Sequence, residues 1–238
     1  MTETRISRVL QVLSMIAFNP GPIRLKEIRE RLGLHPSMVS RIVAELIAAG
    51  LIAKCAYRSV TGTPALAVMG GAAGKNHPLS SISASVMRRF LAEEELSGEF
   101  AAAAPGGLWH FYRVTRGTPP PDPLWNSDAA AVIFAAGKVP WETILEKLDF
   151  AAPKEHDRAF AAFKERYLEA CEKSHLIHFH GGRYRQLTIP VHCGELICAL
   201  SVAGDFAARQ ERIYLESFRM AAKIRSLYEK LAENDAQS

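Results

Sequence analysis

Three groups of side chains have types and spacings from which chemistry can be argued. The first is Ser37, Ser40 and Arg41, which share one side of a helical pattern with Ala44. Val39, Ile42, Val43 and Leu46 make the other side. Small donors beside one long cation let a helix backbone come close to base edges while the guanidinium reaches them. Arg24, Lys26, Arg29 and Arg31 precede this pattern and Lys54 and Arg58 follow it, all suited to phosphates. The second group is His175, His178 and His180, followed by His192 and Cys193. Zinc needs three or four ligands in a tetrahedral array. The spacing matches no zinc signature and no acidic residue joins it locally, so surface or loop histidines are expected, with no metal and no cofactor. The third is Cys193 with a histidine as nucleophile and base. No flanking motif supports it and there is no glycine-rich phosphate loop, so no catalytic residue and no enzyme is expected.

The charge around these groups is uneven. Residues 1–76 hold ten Lys/Arg and four Asp/Glu, while residues 77–238 hold nineteen and twenty-one. The net +4 therefore hides a basic head on a slightly acidic body. Such a head suits a polyanion partner. Hydrophobic residues at 48% and charged residues at 23% exclude a disordered or fibrous chain. No apolar run reaches the ~18 residues of a membrane span, and the N-terminus lacks a signal-peptide cleavage pattern. The cysteines Cys55, Cys171, Cys193 and Cys198 form no disulfide framework. A cytoplasmic, reduced protein with no membrane partner is expected.

The elements that must position these residues follow from periodicity. A helix over 3–18 puts Ile6, Val9, Leu10, Leu13 and Ile16 on one stripe, wider than a three-helix head needs. A second helix spans 25–32, with Arg24 where a capping Ser or Thr is usual. Pro36 opens a third helix that runs to Ala48 and stops at Gly50. A strand at 51–57, a turn at 58–62 and a return strand at 64–68 read as a β-hairpin wing. The domains are placed at 1–69 and 79–238, joined by a glycine-rich linker at 70–78. In the second segment helices are expected at 79–96 (stopping at Gly98), 127–136, 140–148, 157–173 and 207–231, before a frayed tail at 233–238. Strands are expected at 99–104, 108–114, 184–191 and 195–202. Four prolines make 117–123 an extended loop.

This order resembles bacterial regulators of the isocitrate lyase regulator (IclR) type. The carrying residues are the Gly33-Leu34 turn, Pro36-Ser37-Met38-Val39-Ser40-Arg41, Leu46 and Gly50-Leu51-Ile52. Asn126–Gly137, Leu187-Thr188-Ile189-Pro190-Val191, Gly194 and Ala199-Leu200-Ser201-Val202-Ala203-Gly204 continue it. Where the family often has an acidic pair, His178–Arg183 stands instead. The resemblance implies an α+β fold, a winged helix-turn-helix domain followed by a GAF-like α/β effector-binding domain. It implies a homodimer or homotetramer on double-stranded DNA, regulated by a small molecule.

DNA contacts are accordingly expected from Arg24, Lys26, Arg29, Ser37, Ser40, Arg41, Lys54 and Arg58. In GAF-like domains the ligand lies between the sheet and the helices covering one face, which nominates His110, Tyr112, Trp125, Ser127, Thr188 and Cys198. Ser127 starts a helix whose N-terminus favours an anion, so a small carboxylic acid is the expected effector. Two other classes stay open at this point. One is a sensor or interaction protein whose winged domain no longer reads DNA. The other is a small-molecule enzyme with a regulatory head.

Overall fold

The computed structural model describes residues 4–17, 19, 21–55, 58–104, 107–116, 127–148, 156–180 and 184–236. They fall into two compact units, one within Met1–Ala73 and one from Gly74 onward. The first unit runs α1 (Arg5–Ala17), β1 (Ile23–Arg24), α2 (Leu25–Leu32), α3 (Pro36–Ala48), β2 (Ile52–Lys54) and β3 (Ser59–Gly62). Its strands form an antiparallel sheet in the order β1-β3-β2. Val12, Ile28, Val39, Ile42, Leu46 and Val60 meet in its core.

Helices α2 and α3 have the expected bounds because local chemistry sets both. Gly33 takes a left-handed conformation (φ 61°), which closes α2. His35 is extended and its Nδ1 accepts the Ser37 N–H, with Pro36 at the first helical position. Arg24 offers α2 no side-chain cap; the Leu25 N–H instead donates to the Arg58 carbonyl at 3.0 Å. The wing thereby satisfies a donor that the helix end leaves open. Two expectations are corrected here. The return strand of the wing is Ser59–Gly62, where a turn was expected. Residues 64–68 are no strand but open α4 (Pro64–Asn76), which also contains the glycine-rich stretch 70–76. Pro64 suits a first turn, and Ala65, Leu66, Ala67, Met69 and Ala72 are strong enough helix formers to offset the ~1 kcal/mol that each glycine costs.

The second unit runs α5 (Pro78–Glu93), β4 (Ser97–Ala104), β5 (Gly107–Val114), α6 (Asp128–Ala136), α7 (Trp141–Leu148) and α8 (His156–Lys173). It continues with β6 (Leu176–His180), β7 (Tyr184–Cys193), β8 (Leu196–Asp205), a short 3-10 turn (Ala207–Arg209) and α9 (Gln210–Ala236). The five strands form an antiparallel sheet in the order β5-β4-β8-β7-β6. Strand side chains alternate between faces. Phe100, Leu187, Ile189, Cys198, Leu200 and Val202 pack against Ile213, Met220 and Ile224 of α9 and Leu79, Met87 and Leu91 of α5. On the opposite face Ala129 and Ile133 of α6 meet Ala199 of β8. Phe134 of α6 packs on Phe163 of α8, outside that layer. The fold is α+β, with a winged-helix unit and an antiparallel-sheet unit.

Three further expectations are corrected. Helix α5 ends at Glu93, where Glu95 turns left-handed (φ 57°), and Gly98 lies inside β4. Strand β6 was not anticipated: in Leu-Ile-His-Phe-His the period of two was hidden behind the histidines. The tail is helical to Ala236. The proline-rich 117–123 segment and Trp125 lie outside the described residues. Among the described residues, no helix is long and apolar enough to cross a membrane.

Candidate nucleic-acid interface and small-molecule cleft

In the first unit, Val39, Ile42, Val43 and Leu46 turn inward, and Ser37, Ser40, Arg41 and Ala44 are all exposed on the other side of α3. His35, just ahead of Pro36, caps α3: its Nδ1 lies 2.8 Å from the Ser37 Oγ and accepts the Ser37 N–H at 3.4 Å. The chain signal for this is His-Pro before a helical pattern, and it recurs at His77-Pro78, where Nδ1 accepts the Leu79 N–H at 3.2 Å. On α2 the cations are partly engaged. Glu30 takes Arg29 at 3.2 Å and Lys26 at 3.8 Å, and Glu27 takes Arg31 at 2.8 Å. Exposed pairs of this kind are worth at most about 1 kcal/mol, so a phosphate can displace them. Arg24, Lys54 and Arg58 are exposed around the wing.

In the second unit the sequence candidates separate. Cys198 and Tyr112 belong to the core that packs on α5 and α9. There a hydrogen bond with Cys193 and burial together push the Cys198 thiol up, so it stays protonated. Ser127, His110 and Thr188 lie on the α6 side, so one pocket cannot hold all five described candidates. Thr188 Oγ1 donates to Ser201 Oγ at 3.2 Å, fully buried, and the register continues that row through Glu99 to Arg113. Glu99 also lies 3.5 Å from His110 Nδ1 and 3.6 Å from Arg113 Nε.

The histidine cluster is dispersed by β6. His175 Nδ1 is 2.8 Å from the Lys173 carbonyl, and its ring meets Phe218 edge-on. His178 faces the other way, its Nδ1–H donating to both Asp128 oxygens at 3.3 and 3.4 Å. Asp128, in the first turn of α6, also lies 3.6 Å from Arg166 Nη1 of α8. The hydrogen bond to Asp128 raises the His178 imidazole above its ordinary value, against the opposing effect of burial. Burial lowers the Arg166 guanidinium, although Asp128 opposes this. Sequence reasoning missed Asp128 and Arg166; an Asp directly after a capping Ser was the available signal. A cleft of about 270 Å³ opens beside this triad, its α8 wall carrying Glu165 and Glu169.

Residues 4–57 match a model of the MarR family. Among solved structures, an IclR-family transcriptional regulator from Brucella abortus superposes with a TM-score of 0.69 at 18% identity, covering 94% of this chain and 92% of that one. An IclR transcriptional regulator from Alicyclobacillus acidocaldarius gives 0.56 at 15% identity, over 93% and 97%. An IclR homolog from Microbacterium hydrocarbonoxydans, complexed with 4-hydroxybenzoate, gives 0.55 at 16%, over 95% and 100%. A search of curated protein sequences finds no match. The chain thus has, over nearly its whole length, the fold of IclR-family transcriptional regulators, with a winged-helix head.

Proposed function

We propose that the protein is a DNA-binding transcription regulator of the IclR type whose second unit holds a small-molecule effector. The observation that carries this reading is the α3 surface: Ser37, Ser40, Arg41 and Ala44 are exposed opposite a buried apolar stripe, in a unit whose wing also exposes Lys54 and Arg58. Arg41 reads a base edge, and Ser37 and Ser40 allow the backbone to approach. Arg24, Lys26, Arg29, Lys54 and Arg58 hold phosphates. The DNA-binding domain is taken as 1–69 and the effector domain as 79–238. That the Microbacterium protein is complexed with 4-hydroxybenzoate supports a small-molecule ligand for this chain too. Ser127, His110 and Thr188 share the sheet side on which the Asp128 cleft opens. The protein acts in the cytoplasm on a roughly palindromic operator, as a dimer or tetramer.

The test is fluorescence anisotropy on duplex DNA from upstream of the protein's own gene. Wild-type affinity falls with salt at a slope near −0.9 per neutralised phosphate. Arg41→Ala loses about 1–3 kcal/mol of sequence discrimination while its circular dichroism is unchanged. Unaltered affinity and selectivity in Arg41→Ala overturns the docking; a flat salt dependence points to a protein partner.

A further inference from the structure

Resting on the reading of α3 as the helix that meets DNA, we propose that His35 is a positioning residue that makes Ser37 a hydrogen-bond acceptor toward DNA. Ser37 then selects an amino base, adenine or cytosine, on the strand it faces. A serine hydroxyl has one proton to give and lone pairs to receive, so by itself it suits either kind of base edge. The geometry at the start of α3 removes that freedom.

His35 stands before Pro36 with an extended backbone (φ −66°, ψ 143°), and its Nδ1 accepts the Ser37 N–H. A backbone N–H can only donate, so Nδ1 carries a lone pair and the neutral imidazole holds its proton on Nε2. His77 shows that this cap needs no hydroxyl: across the same His-Pro step its Nδ1 accepts the Leu79 N–H at 3.2 Å. At His35 the same kind of nitrogen also lies 2.8 Å from the Ser37 Oγ. With a lone pair on Nδ1, that contact is a bond only if the hydroxyl donates. The Ser37 proton is thus turned back to His35, and only Oγ lone pairs are left for a partner in front of the helix. Ser37 is exposed there, together with Ser40 and Arg41.

In the major groove adenine N6 and cytosine N4 are donors, whereas guanine O6 and N7 and thymine O4 are acceptors. An accepting Oγ gains a bond from the first two bases and meets lone pairs on the others. To face a keto base the hydroxyl must rotate and give up Nδ1, and one net hydrogen bond of this kind is worth about fivefold in affinity.

The test uses the full chain to select duplexes from a random pool. Anisotropy at about pH 8, where imidazoles are neutral, then measures each base change in the selected site. The position that Ser37 reads is the one whose preference Ser37→Ala abolishes. There the wild type is expected to favour adenine or cytosine over guanine or thymine by about fivefold or more on one strand. The partner variant is His35→Gly, because a cap position tolerates glycine nearly as well as a capping side chain. Its freed hydroxyl serves either edge, so the ratio should fall close to one while the preferences that depend on Arg41 persist. Loss of a mere cap would instead lower Tm and the affinity for every duplex alike, with the ratio unmoved. A preference for keto bases at that position, a ratio kept in His35→Gly, or no position altered by Ser37→Ala overturns the proposal and leaves the regulator reading standing. Selection that yields no preferred sequence overturns both.

Discussion

Asp128 ties three elements together, from the first turn of α6 to Arg166 on α8 and His178 on β6. Burying a carboxylate is costly unless it is paired and hydrogen-bonded, and here two cations and the α6 dipole supply the compensation. The pairing gives the fold a pH dependence whose sign follows from His178. Its native value lies above the ordinary 6.5, through the hydrogen bond to Asp128 first. The stabilisation is therefore complete below about pH 6.5 and fades as pH rises through the raised native value. Urea midpoints compared at about pH 6 and about pH 8.5 should fall further for wild type than for His178→Gln or Asp128→Asn. A parallel fall in all three would remove His178 from the account. This triad was hardly legible in the chain. Ser127 showed itself as a cap because N-cap chemistry is local, but the bond from His178 to Asp128 spans 50 positions. Nothing in the sequence sets Arg166 apart from the other cations of its helix, and only tertiary packing turns it inward.

The elements that the chain spelled out are those that end on their own chemistry. Gly33, Pro36 and Gly50 punctuate α2 and α3, and Ser127 opens α6. Those misplaced take their form from partners. The segment Ser59-Val60-Thr61-Gly62 has the composition of a turn but is held straight by β1 on one side and β2 on the other. Gly98 was read as a helix stop, yet it sits within β4 for a packing reason: a Cβ there would lie 2.6 Å from Leu91 Cδ1 and 2.8 Å from Cδ2. Leu91 is buried in the core between α5 and the sheet, so its side chain cannot swing out to solvent. Gly98→Ala should cost about 1–3 kcal/mol by overpacking, measured by urea unfolding. In a Leu91→Ala background the same change should cost much less, since the clashing atoms are gone and neighbouring sites are not additive. An equal cost in both backgrounds would mean that backbone conformation, and not the approach of α5, demands the glycine.

One recognition helix covers few base pairs, so useful specificity calls for two heads on one operator. On the proposed reading as a DNA-binding regulator, helix α1 would supply the surface for pairing them. Val12, Met15 and Ile16 fill the core of the first unit, while Ile6 and Leu10, one turn apart, remain 72% and 56% exposed. An exposed apolar pair on a short amphipathic helix suits a second copy of the same helix. Ile6→Glu/Leu10→Glu should then give monomers by light scattering, with the thermal response of the second unit to ligand unchanged. Such a monomer still carries one basic head, so it should bind DNA weakly, with a salt slope about half that of wild type. The same variant tests how a ligand reaches the DNA. A ligand shifts an equilibrium only by its differential affinity for the two states. If those states are two arrangements of a pair of heads, ligand will change the operator affinity of the dimer and leave that of the monomer untouched. Anisotropy titrations of both proteins, with and without ligand, measure this directly. A monomer whose DNA affinity moves with ligand as far as the wild-type affinity does would place the coupling inside a single chain, and the paired-head mechanism would fall.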